Sequence, residues 1–179
     1  ILVGTRYTHF MGFFQRLSAF LIFMILSSLK GLTIERPDVV FATSTPLTIG
    51  IPAVIVSLFK SVPFVFEVRD LWPEFAIEMG ILKNKLMIKA AELLESICYT
   101  RADKILTISR GLQDRLHDYG IPEQKLNTLP IGVDLKFIRS IRANRTFRKK
   151  FGLCDKFVAV YAGAHGPANG LDVILNAAG

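Results

Sequence analysis

Eight consecutive residues, 67–74, combine side-chain types that suit carbohydrate chemistry. They comprise three carboxylates, one guanidinium and the only tryptophan of the chain, carried by Glu67, Asp70, Glu74, Arg69 and Trp72. Carboxylates beside a guanidinium can hold sugar hydroxyls, stabilise developing positive charge or act as a base, and an indole ring stacks on sugar faces. A structural role is the alternative, in which Arg69 pairs with Asp70 and Trp72 fills the core.

A glycine-rich segment, 162–170, follows an apolar run and precedes a helical pattern. Backbone N–H groups and the positive end of a helix dipole can hold a phosphate at such a turn. Its glycines, Gly163, Gly166 and Gly170, match neither the G-x-G-x-x-G nor the P-loop spacing, which disfavours a dinucleotide dehydrogenase and an NTPase. Phosphate binding by this turn stays open beside a plain structural role, and His165 within it is more often structural than functional.

Metal and nucleophile motifs are missing from the sequence. The three histidines are widely separated, and the two cysteines form neither a CxxC pair nor a disulfide framework. We therefore expect no metal site built by the protein, no disulfide scaffold, and a reducing compartment. Ser109 lacks the G-x-S-x-G setting of a hydrolase nucleophile and is predicted to cap a helix.

The net charge of +7 is concentrated in one stretch, 136–150, which holds seven basic residues and no acidic one. A nucleic-acid module would add a recognition motif or stacking aromatic residues, and we predict no nucleic-acid partner. The stretch is typical of a solvated helix or linker, with binding to anions or a membrane surface as the alternative. The 51% content of hydrophobic residues excludes a disordered polymer.

The most apolar stretch, 17–29, lies between Arg16 and Lys30. Its 13 residues fall short of the roughly 20 that a membrane-spanning helix needs. A buried core helix and a helix lying in the membrane interface are both compatible with this composition. A transmembrane helix would need residues 10–15 as well and would place Arg16 within the span.

Short apolar runs alternate with helical patterns along the chain. This alternation, without two-residue hairpin turns, predicts an α/β fold with a doubly wound parallel sheet. The strands are predicted at 38–43, 63–68, 103–108, 126–129 and 156–162, and the helices at 47–60, 84–101, after Ser109 and at the end of the chain. Ligands of such sheets bind where strands end, and the candidate sugar or acceptor contacts there are Thr43, Ser44, Trp72, Glu74, Ser109 and Asp134.

Five segments together resemble the family 4 glycosyltransferases in order and spacing. They are PDVVFATS (37–44), FEVRDLWPE (66–74), ADKILTIS (102–109), LPIGVD (129–134), and YAG (161–163) with GLD (170–172). Within that family the chain is most similar to the branch that builds bacterial O-antigen and capsule units, the amino-deoxy-sugar transferases of the fucosamine type.

The resemblance implies a GT-B fold, with two Rossmann-like domains and a cleft between them. Residues 1–135 would be most of the acceptor-side domain, 136–155 a basic linker, and 156–179 the first strand-turn-helix of the donor-binding domain. On this interpretation the 179 residues are a piece of a longer protein and are expected to be inactive alone.

The resemblance also implies roles for residues. Glu67, Arg69 and Asp70 would be catalytic, and the donor phosphates would lie against Gly163, His165, Gly166 and Gly170. The reaction would retain the anomeric configuration without a metal or other cofactor. The donor would be a nucleotide sugar, UDP-linked, and the acceptor a lipid-linked glycan at the cytoplasmic membrane face, where the bacterial enzyme would be peripherally bound.

Two other functions fit the same residues. A nucleotide-sugar epimerase of the same fold would release its sugar without an acceptor. A non-catalytic membrane-binding module would use the charged segment 67–74 only to hold its structure.

Overall fold

The computed structural model describes residues 2–5, 8, 11–44, 46–140, 145–166 and 169–178. Arg142 of the basic stretch and residues 167–168 of the glycine-rich segment lie outside these ranges. The chain divides into two compact units, Ile1–Ile131 and Gly132–Gly179, and each is described by itself.

The first unit is built on a four-stranded parallel sheet. Its strands are β1 (Val40–Thr43), β2 (Phe64–Val68), β3 (Lys104–Thr107) and β4 (Leu126–Thr128). They are hydrogen-bonded in the order β1-β2-β3-β4, and every neighbouring pair runs parallel. The α/β class, the parallel sheet and the first four predicted strands are confirmed.

Helices connect the strands. In the first unit they are α1 (Phe13–Thr33), α2 (Gly50–Lys60), α3 (Glu74–Glu78), α4 (Lys85–Arg101) and α5 (Arg110–Asp118), with single 3₁₀ turns at Leu47–Ile49 and Glu123–Lys125. The second unit holds α6 (Leu135–Ser140), α7 (Arg145–Lys150) and α8 (Leu171–Ala178).

The core lies on one face of the sheet. Phe64, Phe66 and Val68 alternate along β2 with less buried residues, and all three are fully buried. Helices α2, α4 and α5 pack on that same face, since each contributes a residue to the buried cluster: Val54, Cys98 and Leu116. On the opposite face Phe41 keeps 57% of its surface exposed.

In the first unit, the N-cap side chains of Asn84 and Ser109 begin α4 and α5. The Asn84 side chain accepts hydrogen bonds from the N–H groups of Leu86 and Met87 at the start of α4. The Ser109 hydroxyl accepts one from Leu112 N at 3.3 Å and starts α5, which confirms the predicted cap.

Helix α1 is longer than its apolar stretch and mostly exposed. It has 21 residues, and among those described only Ala19 is buried. Of the two alternatives for this stretch, the buried core helix is therefore not the one that forms. One side packs on α2, where a Cβ on Gly31 would come within 2.4 Å of Val56. Residues 14–33 are long and apolar enough to cross a membrane, the one such helix in the described chain, which is weak evidence for membrane association.

In the second unit, the fifth strand predicted from the sequence is absent from the described residues. The strand predicted at 156–162 does not form, and Phe157 and Val160 are 99% and 80% exposed. A strand is stable only when a neighbouring strand takes up its backbone hydrogen bonds. No described residue of 132–179 lies in a strand, so this run has no such neighbour within its unit. Helix α8 forms as predicted, and the described residues of the basic stretch lie in or next to the exposed helices α6 and α7.

The two cysteines differ in exposure, which predicts different reactivity. Cys98 is fully buried in α4, and burial, with a smaller effect of the Glu95 charge, raises the pKa of its thiol to about 12. Cys154 is exposed. We expect Ellman's reagent to titrate one thiol in the native protein and a second only after unfolding, because the thiolate is the reactive form. A Cys154→Ser variant should give no rapid reaction, and rapid modification of Cys98 in that variant would contradict the buried placement.

Candidate functional site

The carboxyl ends of β1 and β2 are joined through Ser44. The Ser44 N–H donates to the carbonyl of Glu67 at 2.8 Å, and its hydroxyl accepts from the Arg69 N–H at 3.0 Å. Ser44 is only 2% exposed. This buried position suits a residue that fixes the start of the loop after β2 better than one that contacts a ligand.

The predicted catalytic pair Glu67 and Arg69 forms an ion pair. Arg69 Nε lies 2.9 Å from Glu67 Oε2, and the guanidinium side chain remains 50% exposed. Arg69 therefore pairs with Glu67, two residues earlier in the chain. One nitrogen of the guanidinium makes this contact, so further N–H groups can reach a ligand.

Thr43 lies beside this pair. It is the register partner of Glu67 in the parallel ladder, so both side chains lie on the same face of the sheet. Its hydroxyl oxygen is buried and has no hydrogen-bond partner among the described residues. A buried hydroxyl in that state is a group that a bound ligand or an ordered water can satisfy.

Asp70 and Trp72 lie in the loop that follows β2 and differ in exposure. Asp70 is exposed, and its carbonyl accepts from the Trp72 N–H at 3.0 Å. Trp72 is half-buried and packs against the core together with Leu71. The indole thus packs on the core, as the structural alternative for Trp72 predicted. The Asp70 carboxylate lies at the surface.

Glu74 is held by two residues of the α5 region. Its Oε1 accepts from Arg115 Nη2 at 2.8 Å, and its Oε2 accepts from the Tyr119 hydroxyl. These hydrogen bonds, the Tyr119 one first, lower the pKa of Glu74 below its ordinary value. The bond to Glu74 raises the pKa of Tyr119 in turn, so the phenol stays a donor. Neither Arg115 nor Tyr119 was among the residues that the sequence analysis predicted for the site.

A cavity of about 360 Å³ gathers several of these residues. That volume lies at the small end of the range of ligand pockets. Three predicted site residues line it together with an arginine that sequence reasoning missed. The lining comprises Arg69, Asp70, Leu71, Glu74, Phe75, Glu78, Leu112 and Arg115.

Two further predicted contacts are helix caps. The Ser109 hydroxyl caps α5, and its carbonyl accepts from the Thr107 hydroxyl at 3.1 Å. In the second unit, Asp134 Oδ1 accepts from the N–H groups of Lys136 and Phe137 at 2.9 and 3.0 Å and caps α6. Both side chains have a structural function that local sequence explains.

The glycine-rich segment is held by the side chain of Asn169 within it and by that of Tyr161 directly before it. The Ala164 carbonyl accepts from the Tyr161 hydroxyl at 3.0 Å and from Asn169 Nδ2 at 2.8 Å. The rings of His165 and Tyr161 lie 5.8 Å apart. Gly170, directly before α8, has a φ of +53°, a conformation that favours glycine. Phosphate binding by Gly163, His165, Gly166 and Gly170 stays a prediction.

Among the described residues, no group of three or more His, Cys, Asp or Glu side chains is placed to hold a metal ion.

A parallel α/β domain with charged side chains where its strands end is a common arrangement in proteins that bind nucleotide-derived ligands. Residues 2–137 match the sequence profile of Glycosyltransferase Family 4. The chain belongs to that family, which the five sequence segments predicted. No curated protein matches the chain. Family membership implies a nucleotide-sugar donor and an acceptor in general terms.

Proposed function

We propose that the protein transfers a hexose derivative from a UDP-linked sugar to a lipid-linked acceptor during bacterial surface-glycan assembly, with retention of configuration. The observation that carries this proposal is the 360 Å³ cavity, where Arg69, Asp70 and Glu74 meet within a family 4 glycosyltransferase domain. Mixed carboxylate and guanidinium groups suit the hydroxyls of a sugar.

In this proposal Asp70 interacts with the reacting sugar or accepts a proton, since its exposed carboxylate lines the cavity. Arg69, oriented by Glu67 and Ser44, supplies positive charge toward developing negative charge. The 132–179 unit would belong to the donor side, with the glycine-rich segment near the diphosphate. No metal is needed if basic side chains stabilise the leaving group.

We further propose that α1 places the protein at the cytoplasmic membrane face. Its exposed apolar side chains include Leu21, Ile22, Ile25 and Leu29, which recur at helical spacing. Arg16 and Lys30 lie near its two ends and suit lipid headgroups. The basic stretch 136–150 would add attraction to anionic lipids.

The function is tested on protein expressed from the complete open reading frame. Labelled UDP-glucose, UDP-galactose and their two N-acetylhexosamine counterparts are incubated with bacterial lipid extract, with and without EDTA. We expect label in the organic phase in both conditions and an unchanged anomeric configuration by NMR. Free epimerised sugar without acceptor would instead show an epimerase, and membrane binding without consumption of any donor would show a non-catalytic module.

Membrane binding through α1 gives a second prediction. Replacing Ile22 and Ile25, which are 50% and 53% exposed, by aspartate should abolish flotation with phosphatidylglycerol vesicles. Loss of two isoleucines from the apolar face removes about 3–6 kcal/mol of apolar burial in the interface. Leu93→Asp is the matched control, because Leu93 is 62% exposed on a different helix, α4.

Wild-type protein and the Leu93 variant should float equally well. Equal flotation of the Ile22/Ile25 variant would contradict docking through α1. High salt at alkaline pH should release the wild type, since a helix lying in the interface is extractable and a spanning helix is not.

A further inference from the structure

Segment 69–74, the loop that carries Arg69 and Asp70, is tied to the domain at both ends. At the first end the Arg69 N–H donates to the buried Ser44 hydroxyl at 3.0 Å. At the other end Glu74 accepts from Arg115 and Tyr119, which lie 41 and 45 residues later in the chain. The residues that the proposed function needs thus lie between two fixed points.

The second tie has a rigid base. Leu116, which lies between Arg115 and Tyr119 in sequence, is fully buried and anchors α5 in the core. The Arg115 guanidinium carbon also lies 5.5 Å from the centre of the Tyr119 ring, so each member of the cluster contacts the other two. We call Glu74, Arg115 and Tyr119 the Glu74 cluster.

Segment 69–74 needs such a tie because its own structure is short. It leads into α3, which has five residues, and helices of that length are not stable by themselves. The ion pair is not a major source of global stability, since the side chains of Arg115 and Glu74 are 52% and 32% exposed. The cluster therefore controls a local conformation more than the folding of the domain.

The same cluster forms part of the cavity wall. Arg115 and Glu74 line it together with Arg69 and Asp70. We infer that Arg115 and Tyr119 are positioning residues that hold Glu74, and through it segment 69–74, in the geometry that the reaction requires. The expected effect on turnover rests on the proposed function. The expected effect on the conformation of segment 69–74 rests on the geometry alone.

The only tryptophan of the chain lies inside this segment and reports on it directly. Trp72 fluorescence is measured with acrylamide quenching in the full-length protein and in Tyr119→Phe and Arg115→Met variants. We expect the quenching constant to rise at least about two-fold in both variants as local opening becomes easier. The midpoint of thermal unfolding should shift by no more than about 2 °C.

Tyr161→Phe is the control. Its hydroxyl also donates a hydrogen bond, to the Ala164 carbonyl at 3.0 Å, but both residues belong to the second unit and the bond does not involve segment 69–74. The control should leave Trp72 quenching as in the wild type. Quenching that is unchanged in the Tyr119 and Arg115 variants, or raised equally in the control, would overturn the inference.

Turnover separates positioning from a structural role. With whichever of the four UDP-linked sugars is consumed, both variants should lose about ten-fold or more in kcat with little change in donor KM, because misplacement of a reacting group slows chemistry. If Trp72 loosens and no donor is consumed even by the wild type, the structural inference stands and the proposed function fails. If the wild type is active and the variants keep full kcat, the positioning role is refuted.

Discussion

Replacing Asp70 by alanine is expected to reduce sugar transfer by about 10²- to 10⁴-fold, the range found when a positioned acid or base is lost. Asp70 follows β2, lines the 360 Å³ cavity and has an exposed carboxylate. Replacement of an exposed side chain usually changes the free energy of unfolding by less than about 0.5 kcal/mol. Loss of transfer should therefore occur in a protein that still folds.

The measurement is initial rate with saturating UDP-sugar and lipid acceptor, together with thermal unfolding of the same preparation. Asp114→Ala provides the control, since Asp114 is an exposed acid on α5 that does not line this cavity. It should keep wild-type transfer. Transfer by the Asp70 variant at the wild-type rate would remove Asp70 from the mechanism, whatever the outcome for the other cavity residues.

Local signals in the sequence predicted local structure well. Ser109 was expected to begin a helix, and its hydroxyl does cap α5, because a cap depends on a few adjacent residues. The four strands of the first unit were found for a similar reason. Their apolar runs are short and bounded by turn residues, and each has a parallel neighbour to complete it.

Contacts between distant segments could not be predicted in the same way. Nothing in the residues around Glu74 indicates that Arg115 and Tyr119 complete its hydrogen bonds from 41 and 45 positions away. The strand predicted at 156–162 does not form, because here the contact with a distant segment is missing. The composition of this run suits a strand, but Phe157 and Val160 stay exposed because no described part of the second unit pairs with it.

The exposed face of α1 shows why apolar composition does not reveal the environment of a helix. The stretch 17–29 was compatible with a core helix and with an interfacial one. Only the packing distinguishes them, since Ala19 is buried while Ile25 is 53% exposed. The helix is apolar around more of its surface than α2 can cover.

Gly50 is expected to tolerate no side chain unless Cys98 is shortened at the same time. It begins α2, and a Cβ there would lie 2.2 Å from Cys98 Sγ. Overpacking of this kind costs about 1–3 kcal/mol or more, whereas the helix propensity of alanine over glycine returns at most about 1 kcal/mol. The steric effect is the larger one, so Gly50→Ala should destabilise the protein in denaturant unfolding.

A second substitution tests the cause of that loss. In the Gly50→Ala, Cys98→Ala double variant the nearest atom to the new methyl is the Cβ of residue 98 at 3.7 Å, an ordinary contact. The double variant should therefore be more stable than Gly50→Ala alone, with a coupling energy of about 1–3 kcal/mol. Gly111→Ala is the control, since that glycine lies in α5 with open space where a methyl group would be added, and it should be neutral or slightly stabilising. Strictly additive effects at positions 50 and 98 would refute direct contact between α2 and α4 there.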